Sequence, residues 1–341
     1  MAPLPVLWVH LYVQPFWLHE RLDEVITLLR IAPGHLGVVI FFFVSGFVIS
    51  HVAMAETRRE FIIKRVFRIW PTLALAIVLT WIAKTVAASF GAAPFAGFST
   101  ASTAWHYVES LFFLDWMSAG GLPSKERPHA LIIDWTLFIE VMFYGLVAVL
   151  LRPLRLAPAV ATLAMIGVVA LTSLAYALDP ALLHLNYTST GVLLIIVGRV
   201  FYLNWRGMTS NRATLGLFVL SFGLYLVLLS RLPLNTLLVP PYELLVTYLL
   251  SAAIFFSVMK LDVRRVARPV RFLADISYSV YMLHVPVGIS VVTAGRGLGL
   301  PAALSFALAC LAVAAASWVV TRYLERPAQR LARQITSGYR G

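Results

Sequence analysis

Long apolar segments recur along almost the whole chain, and each is long enough to cross the hydrocarbon core of a bilayer. A membrane-spanning helix needs about 20 consecutive, mostly apolar residues. With 60% hydrophobic and only 12% charged residues among 341, the composition lies far outside that of soluble globular domains. The sequence predicts one all-α domain over residues 1–341, a polytopic transmembrane helical bundle of about ten spans, with approximate limits 3–18, 34–53, 71–90, 131–151, 157–177, 186–203, 213–230, 238–258, 274–294 and 301–323.

Basic residues concentrate on one side of these predicted spans. Most of the 27 Lys and Arg residues fall in the segments that follow the even-numbered spans. Because basic loops stay on the cytoplasmic side of a membrane, both termini are predicted to be cytoplasmic. The net charge of +12 then reflects topology and contact with anionic head groups. It predicts membrane lipids, and no nucleic acid, as partners.

Polar and ionisable side chains stand inside three of the apolar segments: FFFVSGFVI at 41–49, WTLFIEVMFY at 135–144 and SYSVYMLHVP at 277–286. A charged group at mid-membrane costs about 3 kcal/mol or more, so it usually faces a cavity, has a partner and has a function. The sequence therefore predicts a chemical site within the bilayer. The single cysteine, Cys310, excludes disulfides and Cys-based metal sites. No spacing of His and carboxylates resembles a metal site, so no metal is predicted.

Five motifs follow one another along the chain: GVVIFFFVSGFVIS (37–50), FIIKRVFRIWP (61–71), DWTLFIEVMFY (134–144), ISYSVYMLHVP (276–286) and LERP (324–327). In this order they resemble acyltransferase family 3, integral-membrane enzymes of bacteria that acylate hydroxyl groups. The resemblance implies an acyl-CoA donor, acetyl-CoA above all, and location in the inner membrane. It also implies a carbohydrate acceptor, such as exopolysaccharide, O-antigen or a lipid-linked sugar. A macrolide-type small molecule is the alternative acceptor within the family.

His10 lies near the middle of the first predicted span, since about ten residues at 1.5 Å each separate it from the chain start. An imidazole titrates near neutral pH and suits a general base. The alternative is a histidine hydrogen-bonded across a helix interface. Members of the family carry an essential histidine in the first helix, which implies His10 as the base. No basic residue precedes His10, and Val39 stands where many relatives have Asp. We expect that the natural start is missing or that the donor is contacted differently.

A basic run precedes Pro71, the position at which the third span is predicted to begin. Lys64, Arg65 and Arg68 belong to this run. Guanidinium groups bind phosphate bidentately, so the run suits the phosphates of CoA. The alternative is a topology anchor on lipid phosphates. The pair Arg65 and Arg68 matches an RxxR pattern of the family, which implies donor binding.

Glu140 shares one helical face with Thr136 and Tyr144. A carboxylate there would orient an imidazolium or hold a sugar hydroxyl, and its structural alternative is a hydrogen bond between helices. Ser45, beside Gly46 in the second span, would donate a hydrogen bond to the carbonyl oxygen of the donor. Its alternative is close helix packing, which small residues permit.

Four further side chains complete the predicted site as the lining of the acceptor side or of a donor tunnel: Trp135, Tyr144, Tyr281 and His284. Aromatic rings and hydroxyls also simply pack helices. We predict direct attack by an acceptor hydroxyl, with His10 and Glu140 as catalytic residues. The alternative class is a transporter or flippase for a lipid-linked sugar or an acyl group. Such proteins typically contain internal repeats, and none is evident here.

Overall fold

The computed structural model describes residues 3–13, 32–89, 103–114, 130–131, 133–231, 241–261 and 266–337. Within these ranges every regular element is a helix, which confirms the all-α fold class. The helices are α1 Pro3–Trp8, α2 Pro33–Ala53, α3 Arg58–Ser89, α4 Ala104–Leu111, α5 Asp134–Val149, α6 Leu151–Leu156, α7 Pro158–Leu178, α8 Leu183–Trp205, α9 Asn211–Ser230, α10 Pro241–Lys260, α11 Arg268–Leu283, α12 Ser290–Gly297, α13 Ala302–Val320 and α14 Arg326–Ser337.

Seven helical stretches of the described residues are long and apolar enough to cross a membrane: Pro33–Ala53, Arg58–Ser89, Pro158–Leu178, Leu185–Trp205, Asn211–Ser230, Arg268–Gly297 and Ala302–Ser337. The chain is therefore a multi-pass membrane protein. The predicted spans 131–151 and 238–258 coincide with the shorter helices α5 and α10. Part of the predicted first span, residues 14–18, lies outside the described residues. The count of ten and the side on which the termini lie stay predictions.

Helices α2 and α8 cross with their backbones in contact. A Cβ added at Gly46 would overlap the carbonyl oxygen of Ile195, and one added at Gly198 would overlap that of Phe43. Only a residue without a side chain fits at either position. The small pair at Ser45 and Gly46 thus permits the close approach of another helix, as its sequence indicates. This crossing fixes where Ser45 stands relative to α5.

A fully buried arginine fastens a third helix to this crossing. The guanidinium of Arg199 on α8 donates from Nε to Oγ1 of Thr162 at 3.0 Å and from Nη1 to Oγ of Ser50 at 3.3 Å. Thr162 lies on α7 and Ser50 on α2. Because a buried guanidinium must have hydrogen-bond partners, Arg199 ties these three helices together.

The prediction that the helix of the third span begins at Pro71 is wrong. Helix α3 begins at Arg58, after a capping box in which the Thr57 N–H donates to Glu60 Oε2 at 2.8 Å. In return, the Glu60 N–H donates to Oγ1 of Thr57 at 3.3 Å. This reciprocal pair satisfies N–H groups that a helix start leaves without partners. Pro71 lies inside α3, where it lacks the N–H of a regular turn and its ring crowds the carbonyl four residues earlier. The basic run therefore lies on the first turns of a long helix.

Turns of π-helix interrupt the bundle at three places: Val9–Val13, His284–Ile289 and Thr321–Glu325. The second contains Pro286, which cannot donate a backbone hydrogen bond and so disturbs regular α-helical pairing. Such turns are rare and are frequent at functional sites. All three position side chains of the site described below.

Candidate functional site

A cavity of about 580 Å³ lies between α2, α3, α5, α11 and α14. Its walls bring together most of the residues that the sequence predicts for the site: Ser45, Lys64, Arg65, Arg68, Glu140, Tyr144 and Tyr281. The other three, His10, Trp135 and His284, do not line this cavity. Residues far apart in sequence thus meet around one cavity.

Charged residues from the first turns of α3 line one end of the cavity. We call Lys64, Arg65 and Arg68 the basic mouth. Nζ of Lys64 lies 3.0 Å from Oε1 of Glu56. The guanidinium carbon of Arg65 lies 5.7 Å from the ring centroid of Phe61, and its Nε has no hydrogen-bond partner among the described residues. A phosphate oxygen is an acceptor well suited to such an N–H group.

Arg68 is held by a buried carboxylate that the sequence reasoning did not assign to the site. Its Nη1 lies 3.8 Å from Oε1 of Glu325, and its guanidinium carbon lies 5.7 Å from the ring centroid of Tyr278. Glu325 also accepts hydrogen bonds from Ser279 Oγ at 3.0 Å and Gln329 Nε2 at 3.1 Å. Glu325 belongs to the LERP motif at 324–327. From the sequence, that motif was used only as part of the family resemblance, although it could have pointed to this residue.

A short hydrogen bond crosses the cavity wall in its middle section. Oγ of Ser45 donates to Oε1 of Glu140 at 2.6 Å, and both side chains are buried. This bond joins α2 to α5, so the Ser45 hydroxyl is engaged by a carboxylate. Tyr144, one turn further along α5, lines the same wall and meets the ring of Phe61 edge-on at 6.1 Å. Glu140 and Tyr144 therefore share one face, as the sequence predicts.

Tyr281 forms the boundary between the cavity and the two histidines. Its ring lines the cavity and stacks on Phe41, with centroids 5.8 Å apart and planes 5° apart. Its hydroxyl lies 2.7 Å from Oγ1 of Thr136. Its ring centroid is also 5.6 Å from that of His284. Tyr281 thus contacts both the cavity and the residue behind it.

His10 and His284 meet behind Tyr281. Nδ1 of His10 lies 2.9 Å from Nε2 of His284, and the ring centroids are 5.1 Å apart. Each histidine lies on a π-helical turn, and the two turns pack against each other. Gly288 makes room for this approach, because a Cβ there would lie 2.6 Å from Cδ2 of the buried Leu11. Tertiary packing thus pairs two histidines 274 positions apart.

Trp135 lines a different and much smaller cavity, of about 60 Å³. This space lies beside α8 to α10 and also contacts His35, Tyr187, Tyr225 and Tyr248. The ring centroid of Trp135 is 6.3 Å from that of Phe42, which lines the same small cavity. The structure therefore does not bring Trp135 together with Tyr144 and Tyr281, although one lining was predicted for all three.

The sequence also matches known proteins over most of its length. A family model described as an acyltransferase domain matches residues 5–322. The chain is similar to the exopolysaccharide production protein ExoZ of Rhizobium meliloti (strain 1021), with 31% identity over 321 residues that cover 90% of this chain and 94% of that protein. No solved structure matches it significantly. The predicted site residues, from His10 to His284, fall inside the region that the family model matches, whereas the part of the cavity lining on α14 lies beyond it.

Proposed function

We propose a function from one premise: the chain belongs to acyltransferase family 3, whose model covers residues 5–322. The chain is then an O-acyltransferase that moves an acetyl or another short acyl group from acyl-CoA to a hydroxyl of a carbohydrate. Similarity to a protein named for exopolysaccharide production favours an extracellular polysaccharide, or its lipid-linked precursor, as the acceptor. Because acyl-CoA is cytoplasmic, the protein acts in the cytoplasmic (inner) membrane, with the basic mouth facing the donor.

The observation that carries this proposal is the cavity that leads from the basic mouth to Tyr281, whose ring contacts His284 on its other side. The cavity joins Lys64, Arg65 and Arg68 to the Ser45–Glu140 hydrogen bond and to Tyr281. It extends from the turn before α3 to Ser45, about 12 Å along α2 at 1.5 Å per residue. A cavity that is cationic at its mouth and polar further in matches a donor with a phosphorylated head and a long, thin arm.

The chemistry assigned to each group follows from its position. The basic mouth binds the phosphates of CoA, while the acyl-pantetheine arm enters the cavity toward Tyr281. His10 takes the proton of the acceptor hydroxyl as its oxygen attacks the thioester carbonyl. The carbon–sulfur bond breaks, an ester forms, and the proton passes on to the leaving thiolate to give free CoA. The Ser45 hydroxyl donates its single proton to the Glu140 carboxylate at 2.6 Å, so this pair fixes the cavity wall beside the acyl-pantetheine arm.

Direct transfer is favoured over a covalent acyl-serine route. The hydroxyl of Ser45 donates to a carboxylate at 2.6 Å, whereas serine nucleophiles are typically activated by an imidazole or amine base. Both histidines of the pair lie on the far side of Tyr281. The acceptor would therefore reach His10 from outside the donor cavity, and donor and acceptor would meet near Tyr281 in a ternary complex.

Isotope-labelled acetyl-CoA tests the proposal on membranes of an exopolysaccharide-producing bacterium that carry the wild-type protein, His10→Ala or His51→Ala. His51 is an exposed histidine at the end of α2 and lies outside the cavity lining, so it is the matched control. We expect label in an alkali-labile ester of glycan with the wild type and His51→Ala only. Equal labelling with His10→Ala would remove His10 as the base. If the wild type neither transfers label nor binds acetyl-CoA, the acyltransferase function is wrong.

A further inference from the structure

His284 is fully buried, and two polar contacts account for both nitrogens of its ring. Nδ1 lies 2.6 Å from the backbone carbonyl oxygen of Tyr281, and Nε2 lies 2.9 Å from Nδ1 of His10. Neither contact is to a carboxylate. Because a buried charge is costly unless it is paired, the neutral form of this imidazole is favoured.

The local backbone explains why the Tyr281 carbonyl serves the imidazole. An N–H group at position 286 would donate back to residue 282 in an α-helical turn and to residue 281 in a π-helical turn. Position 286 is Pro, which has no N–H. Pro286 therefore cannot donate to the carbonyl oxygen of Tyr281, and this oxygen lies 2.6 Å from Nδ1 of His284.

These contacts determine which nitrogen carries the proton on each ring. A carbonyl oxygen can only accept, so Nδ1 of His284 must be the N–H donor. In a neutral imidazole the other nitrogen is then an acceptor, and Nε2 of His284 accepts from Nδ1–H of His10. Neutral His10 is consequently protonated at Nδ1 and carries its lone pair on Nε2.

We propose that His284 is a positioning residue, which holds His10 in the Nδ1–H tautomer so that Nε2 is the nitrogen that takes the proton of the acceptor hydroxyl. The proposal rests on the function proposed above. After proton transfer, the Nδ1–H of the His10 imidazolium stays bonded to Nε2 of His284, and that bond becomes charge-assisted and stronger. His284 thus acts through His10 and not, as the sequence predicted, by lining the cavity.

The orientation of the pair depends on the same packing that buries it. The His10 turn rests on the His284 turn at Gly288, where the buried Leu11 fills the space that a Cβ would need. Tyr281 supplies two different groups to the arrangement. Its carbonyl sets the tautomer of His284, while its ring separates His284 from the donor cavity.

Two substitutions of similar size separate positioning from packing. In His284→Gln, the side-chain oxygen can accept from His10 at the place of Nε2, whereas His284→Leu offers no acceptor. We expect His284→Leu to lower kcat at least about a hundredfold, the scale of a misplaced general base, with KM for acetyl-CoA unchanged. His284→Gln should keep about a tenth or more of the wild-type kcat. Binding of acetyl-CoA by both variants verifies folding.

The ¹⁵N spectrum of histidine-labelled protein reads the tautomer directly, with His10→Gln used to assign the signal. We expect the Nδ1–H form of His10 in the wild type and its loss in His284→Leu. An Nε2–H form in the wild type would overturn the proposal, as would wild-type kcat in His284→Leu. If the tautomer behaves as expected while the wild type transfers no acyl group, the positioning role stands and the proposed function fails.

Discussion

Oγ of Ser45 donates a 2.6 Å hydrogen bond to Oε1 of Glu140, and this bond joins α2 to α5 in the wall of the cavity. The two residues are 95 positions apart, so the sequence around either one does not reveal that they are bonded. The bond places a carboxylate and a hydroxyl in the wall of the cavity that the basic mouth and Tyr281 also line. Its two partners are therefore expected to affect turnover rather than donor affinity.

Substitutions of this pair should lower the rate by different amounts. Glu140→Gln removes the charge but keeps the size, and we expect kcat to fall about ten- to a hundredfold. Ser45→Ala removes one hydrogen bond to a charged group, worth about 1.5–3 kcal/mol, so we expect about a tenfold loss. Ser230→Ala, an exposed serine bonded to its own helix, is the control. The measurement is the initial rate with labelled acetyl-CoA. Wild-type rates in both Glu140→Gln and Ser45→Ala would contradict a role for this pair in turnover.

Arg65 is expected to contribute to donor affinity. Losing one charge-assisted hydrogen bond to phosphate should raise the Kd for CoA about tenfold in Arg65→Gln, which corresponds to about 1.4 kcal/mol. The Kd of Arg65→Lys for CoA should lie between those of the wild type and Arg65→Gln, because an ammonium keeps the charge but cannot bind phosphate bidentately as the planar guanidinium does. Calorimetric titration with CoA measures both.

Arg152→Gln is the matched control for this measurement, because Arg152 is exposed and lies outside the cavity lining. Its Kd should equal that of the wild type. An equal rise in Kd for Arg65→Gln and Arg152→Gln would show that the basic residues attract CoA only through general surface charge.

Gly46→Ala should destabilise the bundle. The new Cβ would overlap the backbone carbonyl of Ile195, and backbone cannot move aside as the end of a side chain can. Overpacking of this kind typically costs about 1–3 kcal/mol. Thermal unfolding in detergent should show a lower midpoint than for the wild type.

Gly216→Ala serves as the comparison for Gly46→Ala. A Cβ at Gly216 on α9 meets no atom within 4 Å, and alanine is the better helix former by about 1 kcal/mol. Its midpoint should match or exceed that of the wild type. Equal midpoints for the two variants would contradict the close crossing of α2 and α8.

Gly288→Ala should separate the two histidines without altering the donor cavity. Its Cβ would lie 2.6 Å from Leu11 Cδ2 and 3.1 Å from Val313 Cγ2, and both side chains are fully buried. We expect kcat to fall at least about tenfold, as a displaced base predicts, with the Kd for CoA unchanged. Gly297→Ala, at the end of α12 with open space around it, should behave as the wild type. A Gly288→Ala variant with wild-type kcat would show that the turn tolerates this shift.

The start of α3 is set by a local sequence signal, the capping box at Thr57 and Glu60. Thr57 and Glu60 have the spacing of a capping box, and both of its hydrogen bonds are present at the start of α3. The sequence reasoning instead gave priority to Pro71 as a helix start. A proline within a membrane helix is tolerated when the remaining hydrogen bonds and neighbouring helices support it. The basic run was thus expected before the helix, whereas it lies on the first turns of α3.

The predicted site residues divide according to how local their signal was. Glu140 and Tyr144 share a face because they are four residues apart on one helix, and both line the cavity. Trp135 was grouped with Tyr144 and Tyr281 on its chemical type, and His284 because its spacing puts it on one helical face with Tyr281. The structure places Trp135 in the smaller cavity and His284 against His10, since residue type does not say which way a side chain points.

The amino-acid sequence by itself determined that this is a helical membrane protein, which segments are long enough to span, which positions inside them are polar, and which family the motifs resemble. These properties are local, since the length of an apolar run and the spacing along one helix can be read without a partner. Only the tertiary structure decided that His10 pairs with His284, that Ser45 bonds Glu140 and that Glu325 holds Arg68. Lipid tails are as apolar as the side chains that face them, so hydrophobicity does not specify which helices pack together. That choice depends on small residues such as Gly46, Gly198 and Gly288 and on complementary polar groups, whose fit is realised only in three dimensions.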